Sequence, residues 1–192
     1  MLYIKHRINT INDLKSVPQN MGIEVDIRYE GNKLILHHDP FVSGEDFEAF
    51  LQEYKHAFII LNIKSEGIEE KTLQLINKYN IKEYFLLDIT FPQVIKLSKA
   101  GNKNIAVRFS EYEPIEQALR LKGLVNWVWI DCFNDLLLNE KTYLDLKKYF
   151  KICIVSPELQ KHSIDKIPEL KKILSKCEID AICTKVPELW EK

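Results

Sequence analysis

AFIILNIK, residues 57–64, is an almost unbroken apolar run rich in β-branched side chains, with Asn62 and Lys64 as its polar members. Such a run suits a strand buried on both faces, the condition of a parallel sheet covered by helices. On either side, DFEAFLQEYK and GIEEKTLQLINKY space their apolar residues at i, i+3, i+4 and i+7, the period of an amphipathic helix. The same alternation runs the length of the chain. Strand-like runs recur as LYIKHR from 2, GIEVDIRY from 22, YFLLDIT from 84, NIAVRFS from 104, WVWIDCF from 127, KICIVS from 151 and AICTK from 181. PQVIKLSKA, PIEQALRL, EKTYLDLKKYF and IPELKKILSK supply helices between them. Eight strand and helix units predict a compact α/β fold, a (β/α)8 TIM barrel formed by residues 1–192 as a single domain. The alternative is an open doubly wound sheet, but its Gly-rich phosphate loop is missing: the first strand runs into HRIN.

At 192 residues the chain is slightly short for a barrel, so helices and loops must be trimmed. EGNKLILHHD reads as a hairpin extension of the second strand, with Gly31-Asn32 as its turn. Twenty-seven basic and 28 acidic residues leave a net charge of -1, which offers no overall field for nucleic acid or an anionic membrane. The four cysteines are widely spaced and read as buried free thiols. No run approaches the ~20 apolar residues of a bilayer span, and the N-terminus lacks a secretory signal pattern, so the reading is cytoplasmic without membrane insertion.

Polar residues gather where these strands end: His6 and Arg7, Glu24 and Asp26, His38 and Asp39, Asn62 and Lys64, Asp88, Arg108 with Ser110 and Glu111, Asp131, Ser156 with Glu158, and Thr184 with Lys185. In a barrel the C-terminal strand ends carry the active site. Glu24 and Asp26 share a face, as do Asn62 and Lys64, because strand side chains alternate with period two. His37 points by the same alternation away from His38. Burying a charge without a partner costs several kcal/mol, so a ring of such groups must pair internally or bind something. Internal pairing is the plainer reading, with Lys64 neutralising Asp88, Arg108 neutralising Asp131, and Arg28 standing beside the acids of its own strand. Trp127 and Trp129 read as core aromatics.

His6-Arg7, Glu24-Val25-Asp26, His38-Asp39-Pro40 and Asn62-Ile63-Lys64, in that order, resemble the glycerophosphodiester phosphodiesterase and phosphatidylinositol-specific phospholipase C superfamily, whose pattern runs H-R, E-x-D, H-D-P and E-x-K or a variant. The resemblance is sharp over residues 1–64 and weaker beyond. It implies a phosphoric diester hydrolase or lyase acting on a small phosphodiester. His6 and His38 would be the acid and base, Arg7 and Lys64 the phosphate contacts, and Glu24, Asp26 and Asn62 the ligands of Mg²⁺ or Ca²⁺, for which hard oxygens are suited. Asp88, Arg108, Glu111, Asp131, Ser156 and Glu158 would meet a polyol- or sugar-like headgroup, with Arg108 facing a second anionic group. Three departures matter. Ile8 stands where the family has glycine, so the first loop must run differently, and Asn62 replaces an acid, which implies a weaker metal site. The family's long insertion after H-D-P is also absent, which leaves glycerol recognition open. Competing readings are a Schiff-base aldolase or isomerase using Lys64 or Lys185, and a catalytically inactive barrel that binds a phospho-ligand.

Overall fold

The computed structural model describes residues 1–191. Each of the eight strand-like runs contains a strand: β1 (Leu2–Lys5), β2 (Gly22–Glu30), β5 (Phe58–Ile63), β6 (Tyr84–Leu87), β7 (Ala106–Phe109), β8 (Trp127–Ile130), β9 (Lys151–Val155) and β10 (Ala181–Thr184). Two short strands, β3 (Lys33–Leu36) and β4 (Glu45–Asp46), follow β2. The helices are α1 (Ile11–Ser16), α2 (Phe47–Glu53), α3 (Glu69–Lys78), α4 (Phe91–Lys99), α5 (Ile115–Arg120), α6 (Glu140–Lys147) and α7 (Lys166–Leu174). This is the strand and helix order of a (β/α)8 barrel with trimmed helices. The described chain divides into two compact units, Lys5–Val94 and Met1–Ile4 with the segment from Ile95 onward.

In the Lys5–Val94 unit, β2 pairs in parallel with β5, and β5 with β6. Ile23, Val25 and Ile27 alternate along β2 with Glu24 and Asp26, and all five are buried. One face of β2 is therefore hydrocarbon, each Ile or Val contributing about 1.5–3 kcal/mol by leaving water, while the opposite face carries acids. Ile59, Ile60 and Leu61 of β5 are fully buried, which explains why 57–64 shows so little polar alternation.

The predicted hairpin forms. Glu30 pairs with Lys33 across the two-residue turn Gly31-Asn32, and Gly31 takes the left-handed conformation (φ 61°) that this turn demands. After β3 the chain passes so close to itself that a Cβ on Gly44 would lie 2.3 Å from the Leu36 carbonyl oxygen. Only glycine closes that loop. Helix α2 is capped by Asp46, whose side chain accepts from the Ala49 amide at 3.0 Å, and α1 by Thr10, which accepts from the Asp13 amide.

In the other unit β7, β8, β9 and β10 form a parallel ladder in chain order. Trp127 and Trp129 are buried, as core aromatics. Helix α6 begins with a reciprocal cap between Asn139 and Thr142. Among the described residues no helix is long and apolar enough to cross a membrane.

Candidate active site

The parallel register of β2 and β5 sets Asp26 beside Asn62 and Glu24 beside Ile60. Because side chains two apart share a face, Glu24, Asp26 and Asn62 lie on one face near the strand ends. All three are buried, Glu24 and Asp26 at 0% and 1% exposure. Asn62 donates from Nδ2 to Glu24 Oε1 at 2.8 Å, and its Oδ1 is buried with no hydrogen-bond partner. An orphaned carbonyl oxygen of this kind costs about 1–3 kcal/mol in desolvation. Burial, and next the charge of Asp26, push the Glu24 carboxyl up to about 7.

The loop after β1 supplies most of the remaining partners. Arg7 has φ 57°, the left-handed region that a residue with a Cβ rarely adopts. In that conformation the Arg7 amide donates to Glu24 Oε2 at 2.7 Å, and the Ile8 amide to the Glu24 carbonyl at 2.8 Å. The loop therefore makes its turn at Arg7, one residue before the position where a glycine would have been expected. His6 Nε2 lies 3.8 Å from Glu24 Oε2, and Arg7 Nε 3.5 Å from Asp26 Oδ2. Asn9, not singled out from sequence, grips Asp26 at both ends: its Nδ2 donates to Oδ2 at 2.9 Å and its Oδ1 accepts from the Asp26 amide at 2.9 Å.

Lys64, at the end of β5, lies 3.7 Å from Asp26 Oδ1 and donates to Asp88 Oδ2 at 3.1 Å. Asp88 is also left-handed (φ 59°), directly after β6. The Lys64–Asp88 pair of the plain electrostatic reading thus forms, and Asp26 shares the same ammonium. His38 is more exposed. Its Nδ1 lies 2.7 Å from Asp39 Oδ1, and the His38 bond holds the Asp39 carboxyl below its ordinary range. This contact holds the ring through Nδ1. His37 accepts the Asp39 amide at Nδ1, 3.0 Å, and so props the loop. Arg28, two residues past Asp26, pairs with neither acid; it donates to the carbonyls of His38 and Lys64.

Hard oxygens from Glu24 and Asp26 with the orphaned Asn62 Oδ1 make a donor set that fits Mg²⁺ or Ca²⁺. Among the described residues no cluster of three or more His, Cys, Asp or Glu is placed to hold a metal, so the amide would have to be the third ligand.

The other strand-end residues belong to the second unit, where they satisfy one another. Arg108 pairs with Asp131, as the plain reading had it, and lies 6.0 Å from the ring centre of Trp129. Asp131 also accepts from Gln160 Nε2 at 2.7 Å; burial pushes its carboxyl up, and Arg108 opposes that shift. Ser156 donates to Glu158, which also accepts from Thr184 Oγ1 at 2.7 Å and the Lys185 amide at 2.9 Å. Ser156 in turn accepts from the Trp190 indole at 2.9 Å. Glu111 receives the amides of Asn134 and Asp135 at 2.7 Å and of Phe133 at 3.3 Å. Partial desolvation raises its carboxyl, but these amides outweigh it and hold the group below its ordinary range.

No protein-family model matches the sequence, and no curated protein does. Solved structures do. A glycerophosphodiester phosphodiesterase from Agrobacterium tumefaciens str. C58 superimposes with TM-score 0.71 at 12% identity, covering 100% of both chains. A glycerophosphoryl diester phosphodiesterase from Parabacteroides distasonis ATCC 8503 gives TM-score 0.67 at 13% identity, over 99% of this chain and 86% of that one. With the strand order and the parallel ladders described above, these likenesses establish that the chain has the fold of the glycerophosphodiester phosphodiesterases, a (β/α)8 barrel.

Proposed function

We propose that the protein is a metal-dependent phosphodiesterase that cleaves a small polyol- or sugar-like phosphodiester by histidine acid-base catalysis. The observation that carries this reading is the convergence of His6, Glu24, Asp26, Asn62 and Lys64 from the ends of β1, β2 and β5, with the Asn62 Oδ1 lacking a partner.

Arg7 and Lys64 face the phosphoryl oxygens, where two cations offset the charge that repels a nucleophile. His6 and His38 divide the two proton transfers, one taking a proton from the attacking hydroxyl or water and the other protonating the leaving oxygen. Asp39 fixes the His38 ring for that role. Glu24, Asp26 and Asn62 would hold the divalent cation, whose contribution when bound is polarisation of the phosphoryl group. Asp88 orients Lys64. The headgroup role of Arg108, Glu111, Asp131, Ser156 and Glu158 belongs to the same proposal; among them Arg108 remains the candidate for a second anionic group. Lys64 is poorly placed for Schiff-base chemistry, because its nitrogen is engaged with Asp88 at 3.1 Å and lies 3.7 Å from Asp26.

The test is a panel of small phosphodiesters assayed with Mg²⁺, with Ca²⁺ and with chelator, on wild type and on His6→Ala and His38→Ala. Metal-dependent cleavage lost in both variants supports the reading. If wild type is inactive and all three proteins bind a phospho-ligand equally, the barrel is a binding module.

A further inference from the structure

We infer that Arg28 is a positioning residue that fixes the acid-base histidine and the phosphate-binding lysine relative to each other, an inference resting on the roles proposed above for His38 and Lys64. In the sheet β2 lies between β3 and β5: Arg28 is in register with Ile35 on one side, and its neighbour Ile27 with Ile63 on the other. From there the half-buried guanidinium reaches the segments just beyond the ends of both partner strands. Nε and Nη2 donate to the His38 carbonyl at 3.0 and 2.7 Å, and Nη1 donates to the Lys64 carbonyl at 2.9 Å.

Each of the two segments is also held from the amide side. The Lys64 amide donates to the Ile27 carbonyl at 2.9 Å, and the His37 amide to the Asp26 carbonyl at 3.0 Å. Arg28 completes the grip on the carbonyl side, where neither segment has a continuing ladder. The rigid planar fork makes this possible: one side chain satisfies two carbonyls in different segments at fixed separation, which an ammonium with a single nitrogen does not reproduce. None of the described ion pairs gives Arg28 a carboxylate, so all three hydrogen bonds serve backbone placement. The spacing of the two functional groups therefore depends on a residue that needs to touch neither substrate nor metal. Misplacement of about 1 Å costs on the order of a hundredfold in rate.

Arg28→Met removes the fork, and Arg28→Lys retains the charge while losing the simultaneous contacts. Both are compared with wild type, and with Ser43→Ala, which removes a hydrogen bond to Glu30 from the same loop. Two readouts are taken on each folded protein: kcat and KM for the best diester of the panel, and amide hydrogen exchange over 37–44 and 64–67. In Arg28→Met, kcat falls by about a hundredfold and exchange accelerates in both segments. Arg28→Lys keeps the fold and recovers little of kcat, while Ser43→Ala keeps wild-type kcat. Should Arg28→Met fail to fold, Arg28→Lys alone decides. Unchanged exchange in either segment overturns the proposal, as does faster exchange with unchanged kcat. If wild type cleaves no diester, the phosphodiesterase reading fails instead, and exchange in the variants still decides whether Arg28 holds the two segments together.

Discussion

Two groups of polar residues lie at strand ends, one around Glu24 and Asp26 and the other around Asp131, Ser156 and Glu158, and they are finished to different degrees. In the second group the acids have close donors: Glu158 takes two hydroxyls and an amide, Glu111 three amides, and Asp131 a guanidinium and an amide side chain. In the first group the accounting falls short. The Asn62 carbonyl oxygen has no donor, and Glu24 sits beside another carboxylate with its own carboxyl pushed up to about 7. A cluster whose acids all meet donors is explained by folding alone; one that leaves a buried carbonyl oxygen without a donor beside two adjacent carboxylates is where a cation would bring stability. The comparison thus favours the Glu24 cluster as the chemical centre and leaves Asp131, Ser156 and Glu158 also serving the scaffold.

The largest effect that could break this contrast is catalytic. His6→Ala is expected to lower kcat by about 10²–10⁴, whereas Glu111→Gln, at a proposed headgroup contact, should act on KM more than on kcat; comparable kcat losses in steady-state assays would erase the distinction. Next comes Asn62→Asp, which adds a third carboxylate to the unfinished cluster. Without metal its melting temperature should fall, by about 2–4 °C for each kcal/mol lost, and millimolar Ca²⁺ should raise it more than in wild type, since ligand binding to the folded state stabilises it. A variant insensitive to Ca²⁺ in thermal melts would remove Asn62 from the metal site.

The pH dependence sharpens the same point. Glu24 is raised above its ordinary 4.5 in the folded state, so between that value and about 7 the folded chain holds more protons than the unfolded one. Stability contributed by this group is therefore present below about 4.5 and is lost as pH climbs to about 7. Metal-free Glu24→Gln should gain on wild type across that window and hold its advantage above it, as read from melts at a series of pH values. The smallest expected effect belongs to the finished group. Glu111→Gln should cost about 1 kcal/mol, the typical worth of a hydrogen bond with some charge assistance, with faster exchange confined to 133–135.

The strands were legible because a sheet covered on both faces leaves near-continuous apolar runs, as AFIILNIK shows. The hairpin was legible because Gly31-Asn32 is a turn with its own chemistry. Helix α1 escaped notice: it has six residues and one fully buried apolar side chain, Leu14, so it has almost no period, although Thr10 and Asp13 form a cap that could have marked it. Strand β4 is two residues long and leaves no pattern. In the candidate site, His6, Glu24, Asp26 and Lys64 stood out as polar residues at strand ends whose order resembles the pattern of a known family. Asn9 and Arg28 could not, since their partners are brought near only by folding, and a contact to a main-chain carbonyl leaves no mark on the partner's identity.

The left-handed backbone at Arg7 bears on how this protein would respond to selection. Replacing a left-handed non-glycine residue with glycine relieves strain of order 1 kcal/mol, so a screen for heat resistance alone should favour Gly at position 7 even though the guanidinium beside Asp26 is lost. The position would then record which pressure had acted: arginine where turnover was required, glycine where only persistence of the fold was.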